Sequence, residues 1–367
     1  MHIPDGYLSP QTCAVGFVVA VPAMAAAAAK VSKRVKTRHV PTLAMLAAVC
    51  FLIMMFNVPI PDGTTAHGVG GALIAILLGP WAAMIAVSVA LGFQALLFGD
   101  GGVLAYGVNV VNMAIVLPFI AYGLYRLISG NAYLISPRRV IAAFISGYIG
   151  LTVAALCVAI ELGIQPSLFH DASGAPLYSP YYLSQSIPAM LFAHLTVAGT
   201  AEGIIAAAAL AYLQRANLPL LQVNHPGVPV DADAAMAEGT RRRRLRPGVM
   251  AGAVMALLVV LTPLGLLARG TAFGEDAPDE LKDKLGLSKI PQGLNRYTEF
   301  WRNTLFPDYG FASGEYPVLS YIISAVVGIL IVGLAVFLIA KLIAIAANRA
   351  DRGGSTAESK TSQQVRS

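Results

Sequence analysis

The sequence predicts an all-α integral membrane protein of about nine transmembrane helices, seven in a first unit and two in a C-terminal unit. Composition, long apolar stretches and the placement of basic residues lead there. Of 367 residues, 57% are hydrophobic and 12% charged, and the mean hydropathy is +0.69, too apolar for a water-soluble domain of this length. The net charge of +6 raises nucleic acid as a partner. Lys and Arg, however, fall in short loops between apolar segments, where membrane topology puts them, so no nucleic-acid partner is expected. Cys13, Cys50 and Cys157 lie inside apolar runs and read as packing residues, not as a disulfide framework or zinc cluster.

Each element follows from a bilayer core of roughly 30 Å, which takes about 20 helical residues. Residues 1–10 lack the basic segment of a cleavable signal, and the apolar run 11–29 is followed by a basic stop-transfer cluster, so the first helix stays in the membrane with its head exported. The bulky His2 disfavours removal of Met1, leaving it as the true N-terminus. A second span covers 40–57. The stretch 68–98 is too long for one span and is interrupted by Gly79-Pro80, which predicts a short helix, a break and a second helix. Further spans are expected at 103–125, 139–161 and 186–213, completing a first unit over 1–215. Residues 216–246 mix Pro, Gly, Ala and charge as a cytoplasmic linker does. A separate two-helix unit over 247–345 follows, with spans at 247–268 and 317–343 around an outer loop, 269–316, containing Tyr297, Phe300, Trp301 and Tyr309. The polar tail 346–367 reads as disordered.

The positive-inside rule supports this order. With the N-terminus outside and the C-terminus cytoplasmic, nineteen of the 25 basic residues fall inside: Lys30, Lys33, Arg34, Lys36 and Arg38; Arg126, Arg138 and Arg139; Arg215, Arg241–Arg244 and Arg246; Lys341, Arg349, Arg352, Lys360 and Arg366. The other six lie between Arg269 and Arg302, in a loop long enough to escape the rule. Reading 68–98 as one span would send Arg126, Arg138 and Arg139 outside.

The chain opens M-H-I-P-D-G and later echoes itself as P-I-P-D-G-T-T-A-H-G. Topology places both segments on the outer face, so Met1, His2 and His67 can meet. A free amine followed by His2 offers the amine, the deprotonated His2 amide and the His2 imidazole as one chelate, and His67 closes a plane of four nitrogens. Such a plane suits Ni(II) or Cu(II), whereas Zn(II) prefers a tetrahedron and Mg(II) wants oxygens. Both imidazoles must be neutral to bind, so uptake is expected to weaken below their pKa. The two I-P-D-G turns aim the ligands, with Asp5 and Asp62 as candidates for orienting an imidazole. The plainer alternative is an exposed His2 and a turn-ending His67.

The opening M-H-I-P-D-G-Y-L-S-P, with G-T-T-A-H-G-V-G-G, L-L-G-P-W-A-A, Q-A-L-L-F-G-D-G-G and N-V-V-N-M-A, resembles the CbiM/NikM family, the substrate-binding membrane component of energy-coupling-factor nickel/cobalt importers. The resemblance covers roughly residues 1–215. The C-terminal unit, with L-T-P-L-G-L-L-A-R-G, resembles the small accessory subunit, fused as in NikMN proteins. The resemblance implies metal ligation by the Met1 amine, the His2 amide and imidazole, and His67. It also implies a transmembrane coupling protein and one or two cytoplasmic ATPases as partners, besides membrane lipid. I-P-D-G and T-T-A-H resemble the nickel branch more than the cobalt branch, which more often opens M-H-I-M-E-G.

Other polar residues stay open. His194 and Glu202 share a helical face, as a functional pair or as satisfied packing. Gln94, Asn109 and Asn112 line a pocket or bond neighbouring helices. Neither a Walker A sequence nor H-E-x-x-H occurs, so the chain is expected not to be an enzyme, with ATP hydrolysis left to other subunits. Rival readings are the same role for Co(II), and a self-sufficient metal carrier or sensor working through 269–316.

Overall fold

The computed structural model describes residues 1–34, 37–60, 65–230, 247–267 and 271–364. Asp62 and the rest of its turn beyond Ile60, the basic run Arg241–Arg244 with Arg246, and Arg269 lie outside the described residues. The main helices are α1 (Pro10–Arg34), α2 (Val40–Met55), α3 (Gly71–Leu78), α4 (Pro80–Phe93), α5 (Tyr106–Ser129), α6 (Pro137–Gly163), α7 (Leu183–Ala216), α8 (Pro247–Leu261) and α9 (Pro317–Gln364).

Among the described residues, six helical stretches are long and apolar enough to cross a membrane: Pro10–Ser32, Pro80–Phe98, Tyr106–Ser129, Pro137–Leu168, Leu183–Ala216 and Pro317–Ile345. Val40–Met55 and Gly252–Leu267 are shorter apolar helices. The expected nine is met only by counting α3, whose eight residues rise about 12 Å, under half of a bilayer core of roughly 30 Å. The break at Gly79-Pro80 therefore stands, but its first member is a half-helix. Residues 65–70 are spent on a strand and a loop, so α3 starts only at Gly71. It ends where Gly79 takes φ +91°, a conformation glycine tolerates, and where Pro80 has no N–H to continue the ladder.

All eight residues of α3 are buried, and it packs against α2, α4, α5, α6 and α7. The last helix continues to Gln364, through the stretch for which the sequence predicts disorder; its Ala, Glu, Lys and Gln are good helix formers.

The C-terminal unit packs against the first. Helix α9 lies along α2 and also meets α1 and α4. Residues 271–316 lie against the first unit: Leu305 and Phe306 N–H groups donate to Leu97 O at 2.8 and 3.0 Å, and Gly293 N–H donates to Leu177 O at 2.7 Å. Aromatic rings seal the joint, with Phe98 5.2 Å from Phe51 and 5.0 Å from Tyr309, centroid to centroid. Stacked and tilted pairs of this kind are favourable beyond their buried area.

Candidate metal centre

The N-terminal residues form an arm that runs inside the helical assembly, with Met1, His2, Ile3, Tyr7 and Leu8 all buried. Backbone polar groups buried there must find partners. Ile3 is bracketed by Asn109, whose Oδ1 accepts the Ile3 N–H at 2.9 Å and whose Nδ2 donates to Ile3 O at 3.0 Å. Gly102 N–H also donates to Ile3 O, at 2.9 Å. Farther along, Ser9 N–H donates to Gln165 Oε1 at 3.0 Å.

Asp5 does not orient an imidazole, contrary to expectation. Its carboxylate accepts the N–H groups of Val103, Leu104 and Ala105 at 3.1, 2.7 and 3.1 Å, at the start of α5. Helix starts leave N–H groups unpaired and favour an anion, which explains the choice. Burial pushes the Asp5 carboxyl above its usual range despite those three bonds.

The second arm is a small hairpin: β1 (Val58–Pro59) pairs antiparallel with β2 (Thr65–Ala66), with Val58 opposite Ala66. His67 follows directly, and its ring stacks on His2 with centroids 5.0 Å apart and planes 24° apart. Both histidines are 3% exposed, which excludes an exposed His2. His67 Nδ1 lies 2.9 Å from Gly68 O, and His2 Nδ1 lies 2.8 Å from Asp100 Oδ1. Both Nε2 atoms are buried without a hydrogen-bond partner among the described residues, which is uncommon for buried polar groups. Burial first, then the positive N-terminal amine and His2, hold His67 well below the ordinary imidazole range.

Asp100 comes from the F-G-D-G-G turn and takes the part expected of Asp5. It also accepts from Gln94 Nε2 at 3.1 Å and from the Tyr309 hydroxyl at 2.5 Å. Burial alone would raise its pKa, but the bond and charge of His2, the charge of His67 and the Tyr309 bond bring it below the usual carboxylate range. The Met1 amine pairs with Glu275 Oε1 at 2.9 Å. Tyr309 and Glu275 belong to the outer loop of the C-terminal unit, so that unit reaches both ends of the Met1–His2 pair.

A cavity of about 630 Å³ opens beside the histidines, lined among others by His67, Asp100, Glu275, Glu280 and Asp308 and, among the described residues, by no Lys or Arg. Burial, and then the charges of Asp100 and Glu275, raise the Asp308 carboxyl. Among the described residues, no three His, Cys, Asp or Glu side chains gather closely enough to hold an ion. A chelate through the His2 amide closes only through Nδ1, the nearer ring nitrogen, so His2 must leave Asp100 to complete it.

The remaining polar residues divide. Gln94 serves Asp100 and Tyr309, while Asn112 Nδ2 donates to Glu161 Oε2 at 2.5 Å. His194 and Glu202 do not bond each other. His194 Nδ1 lies 2.8 Å from Met190 O, whereas Glu202 accepts backbone N–H groups beside His67. Cys50 does more than pack, since its Sγ donates to Val69 O at 2.7 Å. One π turn begins at Gln94, another follows Asn109 and a third begins at His194; such turns recur at functional sites.

Residues 2–220 match the family model described as CbiM, the cobalt uptake substrate-specific transmembrane region, and residues 246–345 match the PDGLE domain. The chain is 46% identical to the fused nickel transport protein NikMN of Rhodobacter capsulatus, over 90% of this chain and 95% of that one. It is 44% identical to the "Probable fused nickel transport protein LarMN" of Lactiplantibacillus plantarum over the same shares. A crystal structure of a truncated transition metal transporter superposes with a TM-score of 0.55 at 55% identity, covering 58% of this chain and 98% of that one. The chain belongs to the CbiM family of metal-transport membrane proteins, in the fused form that carries a PDGLE domain behind the CbiM region.

Proposed function

We propose that the chain is the substrate-capture subunit of an ATP-driven importer of the energy-coupling-factor type, taking Ni(II) from the outer face. The ligands in this reading are the Met1 amine, the His2 amide and imidazole, and His67. Met1, His2 and His67 are metal-binding residues, and Ni(II) is cargo, not a resident cofactor. The observation that carries the reading is the stacking of His2 on His67, with the buried Nε2 of His67 unpaired among the described residues and the buried N-terminal amine of Met1 beside them. Four nitrogens in a plane suit Ni(II), and the fused relatives are named as nickel transport proteins.

Binding releases the amine from Glu275 and turns His2 away from Asp100. Both carboxylates remain at the site to balance the ion's charge. The cavity's carboxylates concentrate cations at its mouth. The N-terminus lies outside and the C-terminus in the cytoplasm. A transmembrane coupling protein and cytoplasmic ATPases supply the energy, and the PDGLE unit assists loading through its outer loop.

Co(II) is the nearer rival, since the matching family model is named for cobalt uptake. The test is Ni(II) and Co(II) competition at the purified chain, followed by flux in vesicles with and without the coupling and ATPase subunits. Tighter Ni(II) binding, with flux only when the partners and ATP are present, is the expected result. Robust flux by the chain alone would make it a self-sufficient carrier, and tighter Co(II) binding would reassign the cargo.

A further inference from the structure

The half-helix α3 hangs directly on His67, and both of its ends are tied to one element. At its start, the N–H groups of Val69, Gly70 and Ala72 donate to the Glu202 carboxylate at 2.8, 2.7 and 3.1 Å. Glu202 is 1% exposed and projects from α7. The approach is close because residue 68 is glycine: a Cβ there would stand 3.2 Å from Glu202 Oε2. Gly70 takes φ +79° just before the helix, which lets the loop turn into α3 with its N–H groups converging. The bond from Cys50 Sγ to Val69 O holds the same loop from the other side.

At the far end, Asn224 Nδ2 donates to Ala75 O and Ile76 O at 3.2 and 3.0 Å, in the last turn of α3, where Ala75 O also accepts the Gly79 N–H at 2.9 Å. Asn224 follows α7 after one short helical turn, Leu218–Gln222. Helix α7 and its extension thus grip α3 at both termini, and nothing between those termini is exposed.

We propose that α3 is a rigid strut fixing His67 in the metal plane, with Glu202 as the positioning residue that ties the strut to α7. The proposal rests on the reading of His67 as a ligand. A displacement of α7 along its axis then carries α3 and His67 with it, and the ion loses one nitrogen while the N-terminal arm stays anchored at Ile3 by Asn109. This gives release a defined mechanical route.

The test uses the full chain with its native N-terminus in detergent, Cu(II) as a paramagnetic probe of nitrogen count, and Ni(II) for affinity. The wild type is expected to show four nitrogens and H67A three. Glu202→Gln keeps the shape of the side chain and removes the carboxylate charge; it is expected to lose part of the fourth-nitrogen signal, with Ni(II) affinity about 10- to 100-fold weaker, a smaller loss than in H67A, as for other groups that orient a ligand. The double variant H67A/E202Q should bind no more weakly than H67A, because the carboxylate acts through His67; a role in folding alone gives losses that add.

Asn224→Ala lies far from the ligands. It should keep four nitrogens while Ni(II) dissociates severalfold faster. E202Q with wild-type nitrogen count and affinity, additive losses in the double variant, or an unchanged dissociation rate in N224A would each overturn the strut. H67A behaving as wild type would instead remove the reading of His67 as a ligand, and the strut with it.

Discussion

His2 Nδ1 and Asp100 Oδ1 stand 2.8 Å apart, so the imidazole nitrogen that an amide chelate needs is already held by a carboxylate. The other imidazole, His67, stacks on the same ring at 5.0 Å. Two arms distant in sequence are thus held face to face, and only the His2 ring must turn from Asp100 to complete the chelate. Replacing either His2 or His67 by alanine should weaken Ni(II) binding by at least about 100-fold, since a ligand counts for more than the groups that orient it. Isothermal titration of each variant measures this, with wild-type affinity in both as the contrary result.

Glu275 Oε1 pairs with the Met1 amine at 2.9 Å, whereas a metal needs that nitrogen's lone pair, so carboxylate and ion compete for the same nitrogen. The Glu275 side chain is 22% exposed, and a partly exposed ion pair contributes up to about 1 kcal/mol. Glu275→Gln should therefore speed Ni(II) association up to about fivefold at neutral pH, unless attraction by the remaining carboxylates falls at the same time. Stopped-flow mixing at low and high salt separates the two effects: release of the amine persists in salt, whereas cation steering is screened.

The lowered pKa of His67 moves the pH range in which its loss of binding is expected. The native chain keeps His67 neutral where an ordinary imidazole, near 6.5, takes a proton. The unfolded chain does take that proton, so native stability should decline as pH drops from about 6.5 toward the lowered value. Metal binding follows a different course. The His67 contribution, measured as the affinity difference between wild type and H67A, should stay constant from pH 7.5 to about 6, and any weakening there belongs to the amine and amide protons. A His67 contribution that collapses around 6.5 would contradict this.

Asp5 secures the first arm through the start of α5. Removing its charge in Asp5→Asn should cost about 1–2 kcal/mol, the scale of a lost helix cap, and free the arm. Hydrogen exchange of residues 1–10 should rise and Ni(II) affinity should fall with it. Unchanged exchange would show that Asn109 and Gln165 suffice to hold the arm.

Much of this was legible in the chain. Apolar lengths and the Gly79-Pro80 break carry the helical membrane architecture, and the two I-P-D-G echoes lead to His2 and His67. Asp100 lay in a quoted motif, but glycine on both sides reads as a turn, and nothing local says that the turn faces an imidazole. Glu275 and Tyr309 were illegible because their partners, Met1 and Asp100, lie 274 and 209 residues away. The hairpin was illegible for a related reason: residues 65–66 pair with 58–59, and a pairing of two residues carries no period to detect. The surroundings of α3 were illegible as well, because hydropathy records that a segment is buried, not whether lipid or protein buries it.

The most direct measurement is Ni(II) binding to purified chain with its native N-terminus, beside the same chain carrying one extra residue before Met1. The added residue removes the amine from its place next to Glu275 and shifts His2 out of register with the terminus. Tight binding with a square-planar absorption band in the native chain, lost in the extended one, is the predicted result. Equal binding by both forms, or by neither, would contradict the chelate and move the search for the metal to His194 and the acidic cavity of the outer loop.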